Sequence, residues 1–135
     1  MNAIPMEVSD DRKVTIVIDG EEYDLVFTTR ASKAVAAQFG DLEHFGDKIL
    51  NTEDYGTVVD QNLWLITLLA NQGIMIHNLR NREHPKPLLS EEEVELLTSP
   101  AELSSFREKI FEAIQKGSKR NIKSEAESSK NAEVG

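Results

Sequence analysis

The 135-residue chain contains no cysteine, which excludes disulfide bonds, thiolate-bound zinc and thiol nucleophiles. Positive charge is also scarce, because 15 Lys and Arg residues face 24 Asp and Glu residues, for a net charge of −9. Such a chain repels nucleic-acid phosphates and anionic membrane surfaces, so neither is an expected partner. The Met1 end carries Glu7, Asp10 and Asp11 rather than a basic stretch followed by an apolar one. No secretory signal is therefore predicted, and the chain is expected in the cytoplasm.

Long hydrophobic runs are absent as well. The segment Asn62–Ile76 has no charged side chain, but its apolar part, Leu63–Ala70, is short and is interrupted by Thr67. A membrane-spanning helix needs about 20 consecutive, mostly apolar residues. The pattern therefore predicts a long helix that begins at Thr52, is apolar around most of its circumference and is buried in a folded core.

Side chains for catalysis or metal binding form no recognisable pattern. The histidines His44, His77 and His84 lack the i, i+4 spacing that places two ligands on one helix face. The serines fall at apparent helix caps or in the C-terminal segment, and there is no glycine-rich phosphate loop. We therefore expect no enzymatic activity, no metal site and no cofactor.

The first structural signal in the chain is a β-hairpin. Lys13–Ile18 is dense in β-branched residues, Asp19-Gly20 suits a two-residue type I′ turn, and residues 21–27 alternate apolar and polar positions. On this reading Val14, Ile16 and Ile18 share a face with Tyr23, Leu25 and Phe27. A lone hairpin is barely stable, so this one must lie on helices.

Helix signals fill the rest of the chain and predict a mainly α fold with an N-terminal β-hairpin (α+β) and about five helices. Cap residues and apolar spacing mark the helices, and capping boxes of Ser90 with Glu93 and of Ser99 with Glu102 are predicted at the starts of the last two. The helices are expected over 31–39, over about 42–49 after an Asp41 cap, from Thr52 through the uncharged segment, after Ser90, and from Pro100 to Lys116 with a stop at Gly117. Residues 81–89, with Pro85 and Pro87, are expected to form a loop.

The chain divides into a flexible N-terminus over 1–12, one folded domain over 13–117 and a polar tail over 118–135. The tail holds too few apolar residues to fold alone and is predicted to be disordered. It has four basic and three acidic residues, so the rest of the chain carries a net charge of −10. The acidic run over 91–95 is explained by the positive end of a helix dipole, with binding of a cation or a basic partner as the alternative.

The last helix is amphipathic and is the candidate partner-binding element. Its apolar stripe can dock on the domain or offer itself to another helix, and docking is the favoured interpretation because the core needs cover. A partner is nevertheless expected to bind through the acidic helical face and this helix, and the predicted partner-binding residues are Leu103, Phe106, Arg107, Ile110, Phe111 and Ile114. Trp64 is interpreted as a core aromatic rather than a binding anchor.

Four segments in this order resemble a phage tail assembly chaperone of long-tailed phages and related prophages. They are VTIVIDGEEYDLVFTTRASKAV, TEDYGTVVDQNLWLITLLANQG, LSEEEVELL and AELSSFREKIFEAI, and the resemblance covers about residues 13–117. It implies a protein without catalytic activity in the host cytoplasm. Such a protein binds the tape measure protein, keeps its apolar helices soluble, helps tail tube protein polymerise around it and is absent from the finished virion.

Two alternatives from other classes stay open. One is a small structural tail or head-joining protein that remains in the virion, and the other is a transcription regulator, which the negative charge disfavours. A homo-oligomer through the open edge of the hairpin is a further option.

Many members of the family are also made in a longer form by a backward ribosomal frameshift, and this longer form engages the tail tube protein. Ser129-Lys130-Asn131 can be encoded as UCA-AAA-AAC, which contains the slippery sequence A-AAA-AAC.

Overall fold

The computed structural model describes residues 8–41, 44–45, 47–48 and 54–119. The described residues form an antiparallel hairpin and four helices, so the mainly α fold with an N-terminal hairpin is confirmed. The elements are β1 (Lys13–Ile18), β2 (Glu21–Val26), α1 (Thr29–Phe39), α2 (Tyr55–Arg80), α3 (Glu91–Leu97) and α4 (Pro100–Ser118). Half of the fifth predicted helix, over 42–49, lies outside the described residues, and the other half, His44, Phe45, Asp47 and Lys48, is helical.

The hairpin forms where the sequence predicts it. Asp19 and Gly20 have φ values of 51° and 80°, and this pair of positive φ values is what a type I′ turn requires. Ile18 pairs with Glu21 across the turn, and the register continues to Lys13 opposite Val26. β2 ends at Val26 rather than at the predicted Phe27, because the chain leaves the ladder to cap α1 through the Thr28 hydroxyl.

The hydrophobic core lies between the hairpin and the helices. Leu25 and Val26 point to opposite faces of the hairpin, yet both are fully buried, so this end of the hairpin is covered on both sides. The middle of α2 is buried on almost every side, as the uncharged segment predicts. Its buried residues are Asn62, Leu63, Leu65, Ile66, Thr67, Leu69, Ala70, Gln72 and Ile74.

Helix α2 begins later than predicted. Asp54 is its N-cap, with a side chain that accepts a hydrogen bond from the Thr57 backbone, so the prediction of a start at Thr52 is wrong. Further along α2, the buried polar side chain of Gln72 donates to the Leu68 carbonyl and accepts from the Thr28 hydroxyl. This contact ties α2 to the first turn of α1, since Thr28 is the N-cap of α1.

Two glycines allow helices to touch the hairpin backbone. A Cβ atom at Gly73 of α2 would lie 2.4 Å from the carbonyl oxygen of Asp24. A Cβ atom at Gly117 of α4 would lie 2.4 Å from the carbonyl oxygen of Phe27. Gly117 is therefore a packing residue rather than the predicted helix stop, and α4 continues through it to Ser118.

Candidate functional site: a groove between the hairpin and α3

The candidate site is a groove of about 810 Å³ in the described part of the chain. β2 forms one wall, the extended segment Lys86–Leu89 with α3 forms the other, and Gly73, Ile74 and His77 of α2 lie at its base. The two walls are far apart in the sequence, so the groove exists only in the folded domain.

Two asparagines of α2 hold the second wall in place through its backbone. Asn71 donates its amide to the Leu89 carbonyl and accepts from the Leu89 N–H, both at 2.8 Å. Asn78 makes the same pair of bonds with Lys86, at 2.9 and 2.7 Å. Each asparagine therefore satisfies both backbone polar groups of one residue in a segment that belongs to neither a helix nor a strand.

The spacing of these two clamps follows from backbone geometry. Asn71 and Asn78 are seven residues apart, which is about 10.5 Å along a helix at about 1.5 Å per residue. Lys86 and Leu89 are three residues apart, which is about 10 Å in an extended chain. Proline at positions 85 and 87 favours the extended conformation, and neither proline loses a bond because the clamps use residues 86 and 89.

The same wall continues into α3, where Ser90 and Glu93 form the predicted capping box. Val94 is fully buried and anchors the short helix in the core. Leu88 and Leu97 line the groove and are 48% and 41% exposed, and Leu96 is 77% exposed nearby on α3. The wall thus exposes leucine side chains to solvent on a backbone that Asn71 and Asn78 of α2 hold in place.

The groove is acidic. Five carboxylates line it against two ammonium groups, those of Lys13 and Lys86. The carboxylates are Asp19, Glu21, Glu22, Asp24 and Glu93. The pKa of Tyr23 is raised, first by burial, then by its hydrogen bond to Glu21, and further by the negative charges of Glu21, Glu93 and Asp19. The surface therefore suits a ligand that brings apolar side chains and positive charge together.

The partner-binding residues predicted on α4 mostly face inward. Leu103, Phe106 and Ile110 are buried in the core, and Phe111 and Ile114 are partly buried against it. The guanidinium of Arg107 lies 6.0 Å from the centre of the Phe111 ring. The stripe of α4 thus docks on its own domain, which was the favoured interpretation, and a partner could use these residues only if α4 moved.

The predicted core role of Trp64 agrees with its place in the fold, because its ring packs edge-on against Phe39 with centroids 5.9 Å apart.

The three histidines lie in different parts of the fold. His44 bonds to Asp41 through Nδ1 at 2.8 Å, His77 lies at the base of the groove, and His84 is in the loop after α2. No group of three potential metal ligands occurs among the described residues. None of the helices in the described ranges is long and apolar enough to cross a membrane.

The residues that form the groove were missed in the sequence, since contacts between a side-chain amide and a backbone leave no pattern in residue type. One signal was present. Asn71 and Asn78 stand two helical turns apart on a largely apolar helix, and a proline-containing segment with few apolar residues follows them. No known protein-family model matches the chain, and no curated protein and no solved structure matches it either.

Proposed function

We propose that this chain is a phage tail assembly chaperone that binds the tape measure protein without catalysis, through the groove between β2 and α3. The groove carries the proposal, because it places exposed leucines on a fixed wall that faces an excess of carboxylates. An apolar helical client that also carries lysine or arginine could bury its apolar side chains against Leu88 and Leu97. Its cations would meet the carboxylates of β2.

The resemblance to the chaperone family supports the same conclusion from the sequence side. It covers the hairpin, the long helix, the acidic α3 and α4, which are the elements that build the domain and its groove. The tail tube protein is the second expected partner, engaged through a longer frameshifted form. The codon of Lys130 tests that form directly, because AAG at this position removes the slippery sequence.

Coexpression with the tape measure protein of the same phage tests the main proposal. We expect the soluble fraction of the tape measure protein to rise several-fold in the presence of this chain and the two proteins to copurify. A tape measure protein that stays equally insoluble with and without this chain would contradict the proposal. Mass spectrometry of finished virions separates a chaperone, which is absent from them, from a structural tail or head-joining protein, which is present.

A further inference from the structure

Most carboxylates of the groove have no cationic partner among the described residues. Asp24 lies 3.8 Å from the ammonium of Lys13, but the other four form no ion pair within the described part of the chain. These four are Asp19, Glu21, Glu22 and Glu93. Unpaired charges of one sign on the rim of a concave surface attract a cationic segment, and they do so most strongly at low ionic strength.

The end of α4 lies beside this groove. The Lys116 ammonium donates to the backbone oxygens of Asp10 and Lys13, both at 3.0 Å, and Lys13 lines the groove. Gly117 is in contact with the Phe27 carbonyl just after the end of β2. The chain therefore leaves α4 next to the Lys13 end of the groove.

The residues that follow α4 have the chemistry that the groove lacks. Lys119-Arg120-Asn121-Ile122-Lys123 contains three cations around one aliphatic side chain and no carboxylate. Three of the next twelve residues are acidic and only one, Lys130, is basic, so the positive charge is concentrated at the start of the tail. Five extended residues reach about 17 Å. The stretch of β2 from Asp24 back to Glu21 is about 10 Å long.

We propose that the basic segment over residues 119–123 of this chain binds in its own groove, with its cations against the carboxylates of β2 and Glu93 and with Ile122 over Ile74 at the base. The segment competes there with any client and must leave when a client binds. The docking itself does not depend on the proposed chaperone function. The competition with a client does rest on it.

Paramagnetic relaxation measured by NMR tests the docking in the full-length chain. Because the chain has no cysteine, Ser124→Cys gives a single site for a nitroxide label next to the basic segment. We expect the amide signals of Glu22, Tyr23 and Leu88 to broaden at least two-fold more than that of Thr57, which lies at the far end of α2. Equal broadening of all four signals would overturn the proposal.

Charge reversal supplies the matched pair of variants in the labelled chain. Lys123→Glu is expected to reduce the broadening at the groove at least two-fold, whereas Lys130→Glu, the same change outside the basic segment, leaves it intact. Glu22→Gln tests the other partner at an exposed position where folding is not at risk, and it should also reduce the broadening. A Lys123→Glu chain that broadens the groove signals as strongly as the parent chain overturns the proposal.

A mixed sample identifies which molecule supplies the segment. Spin-labelled chain without ¹⁵N is mixed with ¹⁵N-labelled chain that carries no nitroxide. We expect no broadening of the groove signals, since each segment binds its own groove. Broadening in the mixture overturns the proposal in favour of a second copy of the chain.

The consequence for a client is measured separately with the tape measure protein. If the segment competes for the groove, Lys123→Glu raises the soluble fraction of the tape measure protein at limiting concentrations of this chain at least two-fold over Lys130→Glu. If the two variants solubilise the client equally while the NMR broadening is intact, the proposed competition is overturned and the docking of the segment still stands. Failure of both variants and of the parent chain to solubilise the client counts against the chaperone function alone.

Discussion

At the scale of single residues, Gly73 and Gly117 decide how closely two helices approach the hairpin. A methyl group at either position would lie 2.4 Å from a backbone carbonyl oxygen, which cannot turn away as a flexible side chain can. Gly73→Ala and Gly117→Ala are each expected to lower the free energy of unfolding by about 1–3 kcal/mol, the usual cost of overpacking. Urea denaturation followed by circular dichroism measures the change.

Gly56 is the matched control for these two variants, because it also lies in a helix but away from the hairpin. A Cβ atom there would meet only the Asp54 carboxylate oxygen, at an ordinary 3.5 Å. Gly56→Ala should therefore raise the free energy of unfolding, by up to about 1 kcal/mol, through helix propensity. If all three alanine variants changed stability alike, close packing at Gly73 and Gly117 would not be the cause.

Asp54 makes the start of α2 sensitive to acid. Hydrogen bonds from the Thr57 backbone and then from its side chain hold the pKa of Asp54 below its ordinary value of 3.8. Since the pKa is lower in the folded state, the carboxylate stabilises the fold fully above pH 3.8, and this contribution is lost as the pH falls through the folded-state pKa. Asp54→Asn keeps an oxygen acceptor but cannot titrate.

We therefore expect the urea midpoint of the parent chain to fall more than that of Asp54→Asn between neutral pH and about pH 2. Parallel pH profiles of the two chains would show that Asp54 contributes nothing to the acid sensitivity. Asp41, whose pKa is lowered by the backbone and then the side chain of His44, remains in both chains and cancels from the comparison.

At the scale of elements, local signals predicted the ends of several helices and strands but not how they pack. The Asp19-Gly20 turn and the capping boxes of Ser90 with Glu93 and Ser99 with Glu102 depend on neighbouring residues alone, and all are present. The start of α2 was misplaced because Thr52 and Asp54 are both good N-cap residues. The end of α4 was misplaced because a glycine near a helix end has the same appearance whether it stops the helix or touches another backbone.

The groove could not be predicted for a different reason. Its walls come from segments that are distant in the sequence, and the clamps of Asn71 and Asn78 contact backbone atoms, which are the same in every residue. The burial of Val26 was missed similarly, because alternation along β2 assigns it to the solvent face. Only the packing of the helices on both sides of the hairpin reveals it.

The Asn71 clamp is expected to be the stronger of the two, because Leu89 is half-buried whereas Lys86 is exposed. Asn71→Ala leaves the N–H and carbonyl of Leu89 without partners and should lower the free energy of unfolding by about 1–3 kcal/mol. Hydrogen exchange gives a local readout, since the Leu89 amide donates to Asn71 and should lose its protection. Asn78→Ala should expose the Lys86 amide with a smaller loss of stability.

Asn71→Asp is the control that separates the two bonds of the clamp. A carboxylate still accepts from the Leu89 N–H but no longer donates to the Leu89 carbonyl. Protection of the Leu89 amide should therefore survive in Asn71→Asp and disappear in Asn71→Ala. Rapid exchange in both variants would indicate that the segment is held by something other than this hydrogen bond.

At the scale of the whole molecule, the exposed leucines fall on two surfaces that can be compared. Leu88 and Leu97 line the groove, whereas Leu79, which is 65% exposed, lies outside it. Leu88→Ser with Leu97→Ser should leave stability within about 0.5 kcal/mol per site and reduce the soluble fraction of a coexpressed tape measure protein at least two-fold. Leu79→Ser should change neither quantity, and an equal loss in both variants would argue against the groove as the binding surface.

Substitutions in the inward-facing stripe of α4 are expected to lower stability, unlike those of the exposed leucines. Phe106 is only 8% exposed, and Phe106→Ala should lower the free energy of unfolding by about 3–5 kcal/mol. That is a large part of the roughly 5–15 kcal/mol that stabilises a typical domain. Thermal denaturation measures it. A Phe106→Ala chain that melted normally yet failed to bind its client would show that α4 leaves the core during recognition.

The asparagine clamps fix the backbone of the groove wall without involving the side chains of the wall. Asn71 and Asn78 hold Lys86 and Leu89 by backbone atoms only, so the side chains at 86 and 88 can be exchanged without disturbing the fastening. Evolution or protein design could therefore change which ligand the groove binds by single substitutions at these positions, while the backbone of the wall keeps its conformation.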